Sequence, residues 1–157
     1  MSVPFPLPHV VLTDIRASNP REVLRRMAEA LELSEAVPAD LMTDALAAAE
    51  KAGGSAIGDG VAVVAMRISP EISRKRLCAF ARLARPVPFR GVENHPCDMV
   101  FVMATPDDQS QAHLRDLSVI IRALRDADLT RRLRDEMVHE RIFNLFRARD
   151  IALRAAA

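Results

Sequence analysis

The sequence contains no tryptophan and no tyrosine, so its only aromatic side chains other than histidine are six phenylalanines. It has two cysteines, Cys78 and Cys97, which is too few for the disulfide framework of a small secreted domain. We therefore expect two reduced thiols and a cytoplasmic location. Without tryptophan or tyrosine, the core must be built from aliphatic side chains, methionine and phenylalanine.

Long apolar runs and a large net charge are also absent. No stretch approaches the roughly 20 apolar residues of a membrane-spanning helix, and the start, MSVPFPLP, lacks the basic residues of a signal peptide. The formal net charge is +1, which gives no reason to expect nucleic acid or an anionic membrane as a partner. We predict a single domain over 1–157, in which residues 1–8 form an extended N-terminal tail.

The apolar patterning predicts an α/β domain. Asn19 and Pro20 are suited to begin an amphipathic helix, with Glu22 closing a capping box. The segment 98–104 contains the apolar run Met99–Ala104, as in a central strand that is covered by helices on both sides of a sheet. Segment 66–73 is expected to be irregular, and the proline-containing segment 86–89 is expected to be an edge strand or a turn. The other predicted strands are 10–15, 61–66 and 76–84, and the predicted helices begin near 20, 38, 109, 128 and 138. Asp128 is expected to cap the fourth helix, and the last helix is expected to face inward with Val138, Ile142, Phe143, Leu145 and Phe146.

Four of the five glycines lie in the stretch Gly53–Arg67. Gly53-Gly54 and the tripeptide Gly58-Asp59-Gly60 permit backbone angles that residues with a Cβ atom avoid. The apolar run that follows them predicts a buried strand. A glycine-rich loop leading into a buried strand can bring its backbone amides close to a ligand, but a plain tight turn has the same spacing. Spacing alone favours the plain turn.

The order of residues in this stretch resembles the active-site loop of the type-2 enzyme IIA domains (mannitol/fructose type) of the bacterial sugar phosphotransferase system, especially their nitrogen-regulatory branch. In that family an Arg-Glu pair ends a helix. The segment Gly-(Ser/Thr)-Thr-Gly-Ile-Gly-Asn-Gly-Ile-Ala-Ile-Pro-His-Gly follows, and its histidine accepts a phosphoryl group. The resemblance implies a mixed β-sheet with helices packed on both faces. The matching positions are Glu50, Gly53, Ile57, Gly58, Gly60, Ala62 and Arg67.

The departures from this pattern concern the reactive groups. The family's arginine position is Ala49, and its Pro-His-Gly is Val64-Ala65-Met66. The phosphoryl acceptor position is therefore Ala65, which has no nucleophile. The resemblance thus implies the scaffold of a phosphocarrier without its acceptor, and it leaves open whether the protein catalyses any transfer.

His113 is the strongest remaining candidate for a catalytic residue. The segment from Pro106 to Leu117 resembles the family element Pro-x-x-x-x-x-x-His-Leu-x-x-Leu, whose histidine helps to hold the phosphoryl group. His113 also falls in the first turns of a predicted helix, where backbone N–H groups favour an anion. The alternative is a histidine that only forms local hydrogen bonds.

The predicted phosphate-binding residues combine this histidine with the glycine-rich loop. Ser55 stands where the resemblance implies a hydroxyl that binds phosphate, although a plain polar loop residue fits equally well. Asp59 stands at an asparagine position and suits a turn better than phosphate binding, since its carboxylate would repel an anion. The complete predicted set is Ser55, Gly58, Asp59, Gly60 and His113.

We predict neither a metal nor a cofactor. His95 and Cys97 are potential metal ligands, but no second pair stands at zinc-site spacing. The arginines of the C-terminal helices predict a solvated surface, with a docking face for an acidic partner as the alternative.

Three functions compete on this evidence. The first is a nitrogen-regulatory, enzyme IIA-like protein that acts by protein–protein contacts and is not phosphorylated. The second is a phosphocarrier that uses His113, because a phosphoryl acceptor must be an imidazole within reach of the donor. The third is an anion-sensing domain. The partners that the resemblance implies are a histidine-type phosphocarrier protein, sensor kinases and transport regulators.

Overall fold

The apolar runs of the sequence form the strands of one five-stranded sheet. The computed structural model describes residues 5–91 and 94–156. Its strands are β1 (Val10–Ile15), β2 (Ala56–Gly58), β3 (Val61–Ile68), β4 (Leu77–Arg90) and β5 (Asn94–Pro106). Its helices are α1 (Pro20–Glu35), α2 (Ala39–Lys51), α3 (Ser110–Leu124), α4 (Ala127–Asp135) and α5 (His139–Ala156).

The sheet is mixed, with the order β1-β4-β5-β3-β2. Strand β1 pairs parallel with β4, and β3 pairs parallel with β5, whereas β4 and β5 are antiparallel. Successive side chains of β3 point to opposite faces. Val64 joins a core formed with α1 and α2, and Val63 joins a second core formed with α3, α4 and α5. This arrangement confirms the predicted α/β domain with a mixed sheet and helices on both faces.

Side-chain caps fix the starts of α1 and α4. The Asn19 side chain accepts a hydrogen bond from the Glu22 N–H (3.0 Å), as predicted. The Glu22 carboxylate accepts from the Ser18 N–H (2.8 Å), so it does not close the expected capping box on Asn19. Helix α4 was expected to be capped at Asp128, but its cap is Asp126, whose carboxylate accepts from two backbone N–H groups.

Two segments that follow predicted strands lie partly or wholly within strands of the structure. The prediction for 66–73 was wrong at its start, because Ile68 of β3 pairs with Pro106 of β5. Segment 86–89 takes the edge-strand alternative and not the turn, because it continues β4 opposite β5. The prolines fit there because β1 pairs with β4 only as far as Leu83. Beyond that point β4 has a single neighbour, so a missing N–H costs little.

The N-terminal segment packs on the core from Phe5 onward, where the described residues begin. Phe5 is 2% exposed, and its ring stacks on Phe146 with centroids 5.8 Å apart. Its N–H donates to the Asp150 carboxylate at 2.7 Å. Residues 5–8 have no regular secondary structure, as an extended lead-in would, while residues 1–4 of the predicted tail lie outside the described range.

Helix α5 covers the same core. Of its predicted inward residues, Ile142 and Phe146 are buried, and Phe143 and Leu145 are half-buried. The prediction for Val138 was wrong, because it precedes the helix and is 45% exposed. Within 5–91 and 94–156, every helix is too short or too polar to cross a membrane.

Candidate functional site

A pocket of about 190 Å³ lies where the end of α2 meets β3 and α3. Ala49 and Ala65, the two positions at which reactive side chains were expected, line this one pocket together with Ser55. The sequence comparison therefore selected residues that are neighbours in space. The remaining lining residues are Gly53, Gly54, Ile57, Val63, Leu117 and Ile121.

Local structure explains why these residues meet. Gly53 and Gly54 adopt φ angles of +95° and +84°, which lets the chain turn from α2 toward the sheet. The Val63 N–H donates to the Ser55 carbonyl at 2.8 Å and fixes the loop against β3. Residues two apart on a strand share a face, as do residues four apart on a helix, so Val63 and Ala65 face Leu117 and Ile121.

The lining of the pocket carries few polar or reactive groups. Among the described residues that line it, none carries a charge, an imidazole or a thiol. Ser55 supplies the polar side chain and is 4% exposed. A serine hydroxyl needs an adjacent base to act as a nucleophile, and the lining provides none. The pocket can therefore hold a group of matching size, but no lining side chain is equipped to form a bond with it.

His113 lies beside this pocket and does not line it. Its Nδ1 is 2.9 Å from the Thr105 hydroxyl. Thr105 pairs with Arg67 across the sheet. Arg67 lies two residues after Ala65 on β3, so the Cα atoms of these two residues are roughly 7 Å apart. The histidine thus occupies the turn of α3 that precedes the turn carrying Leu117.

The surroundings of His113 favour its neutral form. Burial lowers the pKa of His113, and the Arg67 guanidinium lowers it further, although Asp116 acts in the opposite direction. An imidazole in this state contributes little positive charge to an anion site at neutral pH. The nearby cation is Arg67, whose guanidinium donates to the Ser110 hydroxyl at 2.9 Å.

The turn Gly58-Asp59-Gly60 does not line the pocket. All three residues have positive φ angles, of +111°, +54° and +78°. The Arg134 guanidinium donates to both oxygens of Asp98 (2.9 and 3.0 Å) and to the Asp59 carbonyl. We call this arrangement the Arg134 clamp. Of the five predicted phosphate-binding residues, only Ser55 lines the Ala65 pocket.

The two thiols are buried and protonated. Burial raises the pKa of Cys78 to about 12 and that of Cys97 to about 11. The Cys97 thiol donates to the His95 carbonyl at 3.5 Å. In the part of the chain that the structure describes, no group of three or more side chains is placed to hold a metal ion.

The basic surface of the C-terminal helices is largely neutralised by neighbouring carboxylates. Arg131 and Arg132 both pair with Asp128. Arg149 pairs with Asp126 at 2.8 Å, and this hydrogen bond holds the pKa of that carboxyl below its usual range. With its charge compensated, this surface favours the prediction of a solvated face over that of a docking face for an acidic partner.

Comparison with known proteins agrees with this architecture. The profile of the family described as "Phosphoenolpyruvate-dependent sugar phosphotransferase system, EIIA 2" matches residues 6–148. The nitrogen regulatory protein of Bradyrhizobium diazoefficiens is 30% identical over 139 residues, which is 88% of this chain and 89% of that protein.

Two solved structures share the fold. Nitrogen regulatory protein IIA-Ntr from Neisseria meningitidis matches with a TM-score of 0.78 at 22% identity, covering 90% of this chain and 95% of that one. Enzyme IIA mannitol, in its Escherichia coli complex with phosphorylated enzyme IIB mannitol, matches with a TM-score of 0.70 at 19% identity over 89% and 95% of the two chains. The profile match spans most of the sequence, and the chain therefore belongs to the EIIA type-2 family of the phosphoenolpyruvate-dependent sugar phosphotransferase system.

Proposed function

We propose that the protein is a nitrogen-regulatory, enzyme IIA-like protein that acts through protein contacts and takes up no phosphoryl group at the Ala65 pocket. The observation that carries this proposal is the lining of that pocket. Ala49 and Ala65 present only methyl groups, and Ser55 has no base beside it. A methyl group has no lone pair with which to attack phosphorus. Similarity to nitrogen regulatory proteins supports the regulatory role.

The proposed partners are proteins of the phosphotransferase system and its targets. An enzyme IIA domain of the same fold is known in complex with phosphorylated enzyme IIB mannitol. We expect this chain to contact a histidine-type phosphocarrier protein, and sensor kinases or transport regulators, as an unphosphorylated domain does. Since Ala65 cannot change its charge, the contacts with sensor kinases or transport regulators would not depend on the phosphorylation state of the donor.

The test is incubation with a phosphorylated histidine-type phosphocarrier protein from the same organism, followed by intact-mass measurement at neutral pH. We expect no gain of a phosphoryl group by this chain. The variant A49R/A65H is the matched positive control, because it places an imidazole and a guanidinium in the same pocket. An acid-labile phosphate on the unaltered chain would contradict the proposal.

A second candidate is phosphoryl transfer through His113. The observation that favours it is a neutral imidazole next to Arg67, since a nucleophilic nitrogen must be unprotonated and a cation attracts the donor phosphate. In that case the unaltered chain and the H95A variant would both gain a phosphoryl group, whereas the H113A variant would gain none.

Partner binding provides an independent measurement. A sensor kinase of the same organism should be captured equally by this chain with and without the phosphorylated donor. Capture by A49R/A65H should change when the donor is added. A donor-dependent change with the unaltered chain would contradict the proposal.

A further inference from the structure

A second, larger cleft of about 600 Å³ lies on a different part of the surface, beside the segment that precedes β4. Its cations come from two separate elements. Arg74, Lys75 and Arg76 are consecutive residues of that segment, and Arg154 comes from α5. The cleft shares no lining residue with the Ala65 pocket.

The carboxylates near this cleft lie mostly behind its cations. Lys75 pairs with Glu35 at 2.8 Å, and Arg76 pairs with Asp116 at 2.6 Å. The side chains of these two acids are only 14% and 5% exposed, so they offer little negative surface to a ligand. Asp150 lines the cleft itself. Four cations therefore surround a space that contains one lining carboxylate.

Several N–H donors of these cations remain uncommitted. A guanidinium has five N–H groups, and that of Arg76 donates through Nη1 to Asp116. Within the same ranges, Arg74 pairs with no carboxylate and is exposed. Arg154 binds Asp150 through its Nε at 3.1 Å, which leaves its two terminal nitrogens available. The cleft thus presents donors from two directions.

We propose that this cleft binds a multiply charged, phosphate-bearing small molecule. Arginine forks match the oxygens of a phosphate, and such hydrogen bonds are strong because both partners are charged. The volume lies within the range of small-molecule sites, roughly 300–1,000 Å³. A single-charged anion would have to compete with Asp150 for Arg154, whereas a polyanion can bridge Arg154 and Arg74 at once. Neither the family nor the proposed function assigns this site.

The experiment titrates the full chain with pyrophosphate and follows both the heat of binding and the backbone amide resonances. We expect shifts concentrated at residues 74–76 and 154, and weaker binding of inorganic phosphate. R74Q and R154Q should each raise the Kd for pyrophosphate about tenfold, the effect of losing a charge-assisted hydrogen bond. R25Q is the control, because Arg25 is an exposed arginine of α1 on the opposite face of the sheet.

Arg76 is left intact because R76Q would leave the buried carboxylate of Asp116 without its ion-pair partner. A loss of folding would then mimic a loss of binding. Absence of heat and of amide shifts with the unaltered chain would overturn the proposal. So would equal weakening by R25Q, R74Q and R154Q, or shifts confined to the Ala65 pocket. The measurement uses no phosphoryl donor, so its outcome is independent of whether the protein accepts phosphate covalently.

Discussion

The two ends of the glycine-rich stretch Gly53–Arg67 differ sharply in what surrounds them. At the Ala65 end the lining carries no charge, and the one polar side chain is Ser55. At the Gly58–Gly60 end, the Arg134 clamp ties the turn to α4 and to Asp98. The comparison teaches that the glycines have a folding role of their own. The turn at Gly58–Gly60 is needed to seat the clamp, because a Cβ atom at Gly60 would meet Arg134 and Asp98.

The largest expected effect comes from adding a methyl group at the clamp. In G60A, the new Cβ would lie 2.8 Å from both Arg134 Nη2 and Asp98 Oδ1, at a φ of +78°. The left-handed backbone and the overlap together should lower the free energy of unfolding by roughly 2–5 kcal/mol. Urea unfolding followed by circular dichroism measures this loss.

G58A is the matched control for this variant. Gly58 has a φ of +111°, but apart from its two chain neighbours no heavy atom of the described residues would lie within 4 Å of a Cβ there. It should therefore lose only the backbone contribution, about 1–2 kcal/mol. If G58A and G60A were equally destabilised, the clamp would not be the reason for glycine at position 60.

Removal of the clamp itself should have the next largest effect. In R134Q, the Asp98 carboxylate and the Asp59 carbonyl lose their common donor. We expect a loss of about 1–2 kcal/mol, because the pair is partly exposed. R131Q on the same helix is the control, since its exposed pair with Asp128 should contribute less than about 0.5 kcal/mol. The effects of R134Q and G60A should not add, because both break the same contacts.

The Ala65 end of the stretch Gly53–Arg67 should tolerate substitution. Ala65 borders open space, so A65V should change the free energy of unfolding by less than about 0.5 kcal/mol. Ala62, on the other face of β3, is fully buried, and A62V should therefore cost about 1–3 kcal/mol through overpacking. Equal costs in urea unfolding would show that the Ala65 pocket is closed in solution.

The smallest expected effect concerns the pH dependence of stability beside that pocket. The pKa of His113 is below its ordinary value of 6.5 in the folded chain, so the unfolded chain binds this proton more readily. Stability should fall as pH drops through 6.5 toward the lowered pKa of the folded state, and level off below it. H113Q should lose less stability than the unaltered chain between pH 7.5 and 5. H95Q, at an exposed position, should behave like the unaltered chain.

The fold was largely predictable because its signals are local. The cap at Asn19, the apolar run of β5 and the periodicity of α3 each depend on a few neighbouring residues. Whether Pro86 and Pro88 lie in an edge strand or in a turn was not predictable, because the outcome depends on where β1 stops pairing. Tertiary neighbours, rather than the prolines, decide where that strand ends.

The site was predictable only in part, for a related reason. Ala49, Ser55 and Ala65 were found through an ordered motif, and they do line one pocket. No spacing rule connects Arg134 with Asp98 and Asp59, so the clamp is visible only in three dimensions. The same holds for Glu50, whose buried carboxylate accepts a hydrogen bond from the Arg90 N–H at 3.0 Å and joins α2 to β4.

The contact between Phe5 and α5 bears on the order of events during synthesis. Phe5 stacks on Phe146, and its N–H donates to Asp150. Phe5 stays uncovered during synthesis until Phe146 and Asp150 have left the ribosome. The face of β5 that carries Phe101 stays uncovered as well, because Phe101 packs against Phe5 and Phe146. The second core can therefore close only after nearly the whole domain has emerged, and chaperones have the longest access to that face of the sheet.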